Sequence, residues 1–183
     1  RSADGAGIAR FVTARRWARD ITGARTTAVI ADYLMLWDAL QGRLWTAERR
    51  WRHGLQQHAD CLLCGQEDET CDHLLAACIF TREIWYHILS TVELQHTVPS
   101  PSDTLVDWWL EARKQVPGGA FTRGFDSLVL LVSWELWKER NRRTFDGVCA
   151  TTTQVLHRIR TEGESWIAAG FSKLAPLFAI ASA

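Results

Sequence analysis

The feature that most constrains this chain is the stretch CLLCGQEDETCDHLLAAC, residues 61–78. It holds four of the five cysteines of the 183-residue chain, together with a histidine. Cys61 and Cys64 are close enough for a tight turn to aim both sulfurs at one point, and Gly65 relieves the backbone just after that turn. A second pair of ligands must then approach from the other side.

His73 and Cys78 could form that second pair, at a separation of five residues. On an unbroken α-helix this separation rotates the two side chains apart by about 140°, so they would not share a face. The spacing therefore predicts that a helix beginning near Asp72 stops or bends around residues 76–77, so that Cys78 turns back towards His73. Three thiolates and one imidazole would form the closed tetrahedral shell of a structural zinc ion.

Other interpretations of the cysteines compete with zinc. Cys71 could replace His73, which would give a site of four cysteines. Buried apolar cysteines are common singly but do not explain four within one short segment, and disulfides need an oxidising compartment for which the sequence carries no signal. A redox pair at Cys61 and Cys64 lacks the apolar strand leading into a helix that such motifs have. Cys149 lies far away and is interpreted as a core or surface residue.

Helical periodicity dominates the rest of the chain, so the predicted fold class is mostly α. Thr46 is a predicted N-cap, and Gly42 and Gly54 are predicted helix ends. Four of the ten tryptophans have helical spacing that predicts core positions: Trp37, Trp45, Trp51 and Trp85. The alternative for these four is that they stack on the bases of single strands. Helices are predicted within residues 26–42, 46–54, 81–92, 103–116, 125–145 and 151–170.

A stretch with two prolines, QHTVPSPSD, interrupts this pattern and predicts a linker. We therefore expect a small helical bundle around a CCHC zinc knuckle, followed by a helical C-terminal extension. The predicted division is an N-terminal arm (1–25), a zinc-binding helical module (26–92), a linker (93–102), the helical extension (103–172) and a tail (173–183).

Charge restricts where nucleic acid could bind. The formal net charge is zero, so any attraction of phosphate must be local. The acidic loop Glu67-Asp68-Glu69 should repel phosphate. Candidate nucleic-acid-binding residues are Arg49, Arg50, Arg52 and His53, with a second group at Lys138, Arg140, Arg142 and Arg143. The alternative for the first group is a solvated helix face, and for the second a favourable interaction with the helix dipole.

Several function classes lack sequence support. The chain has no nucleophile motif, phosphate-binding glycine loop or spaced set of nuclease carboxylates, so we do not expect an enzyme. It has neither an apolar run that could cross a membrane nor a secretion signal, so an intracellular protein, nuclear or cytoplasmic and not secreted, is expected. The chain begins at Arg1 and its single methionine is Met35, which suggests a piece of a longer reading frame.

The stretch LWDALQGRLWTAERRWRHGLQQHADCLLCGQEDETCDHLLAACIFTREIWYHIL resembles the reverse-transcriptase zinc-binding domain at the carboxyl end of plant LINE-type (non-LTR) retrotransposon polyproteins. The later LVLLVSWELWKERNRRTF is similar to the helix that often follows this module. The chain departs from the family pattern at Ile79, where a proline is common, and in GARTTAVIADYLMLW before the module. In IADYL only Asp32 stands where a polymerase has a metal-binding pair, so polymerase chemistry is not expected here.

The resemblance implies a ligand set and a function. It places a histidine at position 73, which favours His73 over Cys71, so the predicted ligands of one structural Zn²⁺ are Cys61, Cys64, His73 and Cys78. It also implies an accessory, non-catalytic role in holding RNA or DNA during target-primed reverse transcription, beside an upstream reverse transcriptase domain of a longer polyprotein. The alternatives are a zinc-stapled helical module that binds proteins, or a decayed element fragment without activity.

Overall fold

The computed structural model describes Met35 and residues 38–180, and in this part of the chain every regular element is helical. Extended pairing there is limited to one isolated bridge between Asp60 and Asp68. The prediction of a mostly α fold is confirmed. The helices are α1 (Ala47–Arg52), α2 (Ile79–Ser90), α3 (Leu105–Gln115), α4 (Ala120–Asn141), α5 (Thr152–Ala168) and α6 (Ala175–Ile180). Two π-helical turns (His73–Ala77 and Arg142–Asp146) and a 3₁₀ turn (Gln95–Thr97) lie between or beside these helices. Met35 and residues 38–40 are also helical, and the rest of the helix predicted within 26–42 lies outside the described residues or beyond its helical part.

Threonine side chains start three of these helices. The Thr46 hydroxyl accepts a hydrogen bond from the Arg49 amide at the start of α1, as predicted. Thr104 caps α3 in the same way, and Thr151 forms a reciprocal capping box with Gln154 at the start of α5. Each cap satisfies an amide that has no partner within its own helix, which contributes about 1 kcal/mol.

Helix α4 lies at the centre of the described fold and packs against α3, α5, α6 and the first π-helical turn. Its central residues 128–132 are apolar and are all buried. Even so, none of the helices in the described ranges is long and apolar enough to cross a membrane.

Residues on both sides of the 93–102 segment share one hydrophobic cluster. The indole rings of Trp85 in α2 and Trp108 in α3 lie 4.5 Å apart, and the Leu105 amide donates to the Asp72 carboxylate at 2.9 Å. The predicted module and extension therefore pack directly against each other. The division of the chain into those units stays a prediction, and its arm at 1–25 lies outside the described residues.

The segment predicted as a tail contributes to the core. Leu174 and Leu177 are buried, and residues 175–180 form α6 against α4. Gly124 of α4 permits this contact, because a Cβ atom there would lie 2.2 Å from the backbone oxygen of Lys173. The C-terminal end of the described chain is therefore a packed element, which its short apolar sequence did not reveal.

Candidate metal centre

The Cys61 to Cys64 turn is built by backbone hydrogen bonds around it. The Gly65 amide donates to the Cys61 carbonyl at 2.7 Å, and Gly65 has a φ of 65°, which suits a residue without a Cβ atom. The Cys61 amide in turn donates to the Glu67 carbonyl at 2.8 Å, closing the loop below the turn. The two sulfurs are thereby held on one side of a rigid knuckle.

His73 and Cys78 are brought together by a π-helical turn. The Cys78 amide donates to the His73 carbonyl at 2.7 Å, an i to i+5 hydrogen bond that places Cys78 above His73. The backbone of Cys78 then leaves the helical region, with φ −56° and ψ 134°. The prediction that the helix breaks around residues 76–77 is confirmed, and it happens with Ile79 where the family often has a proline.

Two side chains stabilise this break. The hydroxyl of Thr81 donates to the Leu74 carbonyl at 2.6 Å, and the indole N–H of Trp85 donates to the Leu75 carbonyl at 3.0 Å. Both carbonyls would otherwise be buried without an amide partner, because the helix does not continue regularly past them. Trp85 is fully buried, as predicted, and supports the metal centre from α2.

The four predicted ligand side chains converge on one point. One donor atom from each of Cys61, Cys64, His73 and Cys78 lies within 4.8 Å of the others. The Cys61 and Cys78 sulfurs are 3.9 Å apart, and the Cys64 sulfur is 3.3 Å from Nε2 of His73. Tetrahedral zinc, with bonds of about 2.3 Å to sulfur and 2.0 Å to nitrogen, spaces its ligands by about 3.8 Å (S to S) and 3.5 Å (S to N). The observed spacing fits that ion.

The close contacts within the cluster shift the pKa values of its members. The hydrogen bond with Cys61, aided by His73, lowers the pKa of the Cys78 thiol to about 4, and the same contact together with burial raises the pKa of Cys61 well above its ordinary range. Burial alone would lower the pKa of His73, but hydrogen bonds to Cys78 and Cys64 raise it to about 9. Without a metal, the thiol and imidazole groups of the cluster therefore share protons through hydrogen bonds. Zinc binding displaces such protons, because the thiolate is the ligand form.

A carboxylate that the sequence analysis did not assign to the site lies behind His73. Oε2 of Glu67 is 3.4 Å from Nδ1 of His73, an atom that is buried and has no close hydrogen-bond partner. A carboxylate at this position favours the tautomer that carries the proton on Nδ1 and leaves Nε2 free to bind metal. Glu67 was interpreted only as part of an acidic loop.

The remaining cysteines lie apart from the cluster. Cys71, the alternative to His73, is half-buried beside α1, and burial raises its pKa to about 11. The structure therefore brings His73, and not Cys71, to the other three ligand side chains. Cys149 is exposed.

The acidic loop is only partly a surface feature. Glu69 is fully buried, and its Oε1 accepts hydrogen bonds from the Ala47 amide and from Nε of Arg140, both at 2.7 Å. Arg140 is itself only 1% exposed. The interpretation of Arg140 as a nucleic-acid contact is therefore corrected, because its guanidinium is enclosed and paired inside the protein.

Arg143 also has a structural position. Its guanidinium donates to the carbonyls of Leu62 and Leu63 within the knuckle at 3.0 and 3.3 Å, and to the Glu139 carboxylate at 2.9 Å. Arg142 also pairs with Glu139, at 3.4 Å. The second group of candidate nucleic-acid contacts thus faces carboxylates and carbonyls of this chain. Those partners are distant in sequence or depend on the fold, so the local sequence could not reveal them.

The first basic group lies on and beside α1, where Arg52 and His53 are exposed and Arg49 and Arg50 are half-buried. The guanidinium of Arg50 lies 5.6 Å from the ring centroid of Phe145, and Arg52 pairs with Glu48. Helix α1 thus carries three arginines against one glutamate, and we call it the cationic helix; Arg52 and the adjoining His53 face solvent.

Two tryptophans predicted to be core residues are at the surface. Trp45 is 48% exposed and Trp51 is 51% exposed, so that prediction is wrong for both. Arg49 stacks over the Trp45 ring at 4.8 Å, and the ring of His53 lies 5.4 Å away. Helical spacing predicts which side chains share one face of a helix, but it does not predict whether another element covers that face. Trp37 lies outside the described residues.

Comparison with known proteins agrees with this centre. Residues 26–85 match the protein family described as zinc-binding in reverse transcriptase, a range that includes all four converging side chains. The resemblance seen in the sequence is thereby confirmed for this segment. No curated protein and no solved structure matches the chain.

Proposed function

We propose that this chain, whose residues 26–85 match the family of zinc-binding segments in reverse transcriptases, is a non-catalytic accessory module that helps to hold RNA or DNA during target-primed reverse transcription. It would act beside a reverse transcriptase domain of a longer polyprotein. The proposal is supported by the family match, by a donor set that fits zinc, and by a cationic surface next to that donor set.

The zinc ion would have a structural role. Cys61, Cys64, His73 and Cys78 would supply four protein ligands, which fill a tetrahedral shell and leave no position for a substrate. Three of the four are buried, so the centre is closed to solvent on most sides. Such an ion contributes about 10 to 16 kcal/mol of binding energy at pH 7, which becomes folding energy for a segment of this size.

The proposed metal centre and the cationic helix are mechanically connected through Glu69. This residue follows the knuckle loop, and its carboxylate accepts from the Ala47 amide at the first turn of α1. Its backbone carbonyl also accepts from the Glu48 amide at 3.4 Å. Ordering the loop around zinc would therefore fix the position of α1 and of its arginines.

The observation that carries the proposal is the exposure of this cationic helix on a segment of the reverse-transcriptase zinc-binding family. Guanidinium groups donate several hydrogen bonds in a plane and suit phosphate oxygens. The side chain of Arg52 is 67% exposed, and its partner Glu48 is the only acidic side chain within α1. A polyanion is the partner that such a surface would attract.

We expect the zinc-loaded chain to bind RNA or DNA with an affinity that falls steeply with salt, because binding of cations to phosphates releases counterions. Replacing Arg50 and Arg52 by glutamine should weaken binding and flatten the plot of log affinity against log salt by about 0.7 to 0.9 for each phosphate that is no longer neutralised. Arg160→Gln is the matched control. That arginine is also exposed and also pairs with a glutamate four residues away, Glu164, but on α5.

Fluorescence anisotropy over a salt series would measure both quantities. The proposal predicts that Arg160→Gln behaves like the parent while the double variant on α1 does not. Equal effects of the two sets of substitutions, or no salt-sensitive binding by the parent, would contradict it. The second of these results would leave the zinc-stapled protein-interaction module or the decayed fragment as the remaining interpretations.

A further inference from the structure

A polar cleft lies beside α1. It has a volume of about 450 Å³, which is within the range of sites that accept small molecules. Four basic side chains line it, together with the two acidic residues Glu48 and Asp72. The basic residues are Arg43, Arg49, Arg52 and His53.

Both acidic residues of the cleft already have partners within the protein. Glu48 pairs with Arg52, and the Asp72 carboxylate accepts a hydrogen bond from the Leu105 amide at 2.9 Å. With histidine neutral, the three arginines of the cleft exceed its two carboxylates by one formal positive charge, which matches the single negative charge of a phosphodiester. An anionic group of about nucleotide size matches the cleft in charge and in volume.

An aromatic ring stands beside this cleft. Trp45 precedes the cap residue of α1, is 48% exposed, and contacts two of the lining residues, Arg49 and His53, through its ring. A tryptophan normally contributes by burying its large surface, so half-exposure leaves the part of the ring that Arg49 does not cover open to a partner. A ring next to several cations combines the two features that hold unpaired nucleotides: stacking of the base and attraction of the phosphate.

We propose that Trp45 and this cleft form a site for single-stranded nucleic acid, in which one unpaired base stacks on Trp45 and the adjoining phosphate is held by the arginines of the cleft. This inference rests on the proposed function and specifies its substrate class. A duplex covers the faces of its bases by stacking them on each other, so it cannot present a base to Trp45 without local opening. The site therefore selects unpaired strands, whether RNA or DNA.

Trp51 provides an internal comparison. It is as exposed as Trp45, at 51%, but it lies within α1, whereas Trp45 precedes the cap residue of that helix. Neither tryptophan lines the cleft itself, but the Trp45 ring contacts the lining residues Arg49 and His53. Trp51 follows Arg49 by two positions, which rotates it by about 200° to the other side of α1. If exposure alone made a tryptophan bind nucleic acid, the two residues would be equivalent; if the cleft is required, only Trp45 contributes.

The experiment compares the full zinc-loaded chain with its Trp45→Leu, Trp45→Phe and Trp51→Leu variants. The probes are labelled single strands of one mixed sequence, as RNA and as DNA, and the duplexes made from them. We expect the parent to bind single strands at least about fivefold more tightly than duplex, and Trp45→Leu to lose about tenfold for single strands, as befits one stacked base. Trp45→Phe should recover part of the loss, and Trp51→Leu should match the parent.

The outcomes separate this inference from the function on which it rests. Equal affinity of the parent for single strands and duplexes, or equal losses for Trp45→Leu and Trp51→Leu, would overturn the single-strand site while leaving salt-dependent binding intact. No binding of any probe would overturn the proposed function itself. The RNA and DNA arms show which strand the site prefers. Circular dichroism and zinc content of each variant verify folding, and the parent's strand preference tests the site even if a variant fails to fold.

Discussion

At the scale of single residues, the buried pair of Glu69 and Arg140 connects two distant parts of the chain. The two side chains are 71 positions apart in sequence, are almost completely enclosed, and meet at 2.7 Å. Glu69 also holds the first turn of α1 through the Ala47 amide. A buried charge without its partner is strongly unfavourable, so each of these residues depends on the other.

We predict that Arg140→Met lowers the free energy of unfolding by about 3 to 5 kcal/mol, because it leaves the Glu69 carboxylate buried and unpaired. Arg160→Met, which removes an exposed ion pair on α5, should change it by less than about 1 kcal/mol. Denaturant titration of the zinc-loaded proteins measures both values. A small effect of Arg140→Met would mean that Glu69 finds another partner or remains hydrated.

At the scale of elements, the fold depends on close approaches that two helical glycines permit. A Cβ atom at Gly124 would meet the Lys173 backbone, and one at Gly163 would meet the ring of Phe178 at 2.1 Å. Glycine inside a helix costs about 1 kcal/mol relative to alanine, so its presence at both positions has a packing reason. Both contacts involve the segment that carries α6.

Gly124→Ala should therefore destabilise the protein by about 1 to 3 kcal/mol despite its higher helix propensity, because the obstructing atom is backbone and the helices must move apart. Gly118→Ala is the control, since a Cβ atom there meets nothing within 4 Å. Thermal unfolding of the two variants checks this. Equal midpoints would show that α6 does not pack closely on α4.

The elements also show what the sequence could and could not predict. The break before Cys78 was predictable, because a separation of five residues and a tetrahedral ion together demand it. The cap at Thr46 and the glycine at 54 were local signals of the same kind. The exposure of Trp45 and the burial of Arg140 were not predictable, because each depends on which distant element covers the residue. The glycines at 124 and 163 were local signals of α6 packing, and they were ambiguous by themselves.

At the scale of the whole molecule, the metal centre is supported from both halves of the described chain. Arg143, in the π-helical turn that follows α4, donates to two carbonyls of the knuckle, and Trp108 of α3 packs on Trp85 next to the π-helical turn at His73–Ala77. The knuckle in turn anchors the cationic helix α1 through Glu69. Zinc held by this knuckle would thus fix the position of α1 relative to the elements that support the knuckle.

The central claim is that one zinc ion is held by Cys61, Cys64, His73 and Cys78, and native mass spectrometry of the purified chain tests it most directly. The account predicts one zinc per chain in the parent, its loss in His73→Ala, and its retention in Cys71→Ala. His73→Ala should also lose helical circular dichroism, because the metal folds this segment. A parent chain without zinc, or a zinc ion that is kept by His73→Ala and lost by Cys71→Ala, would contradict the account.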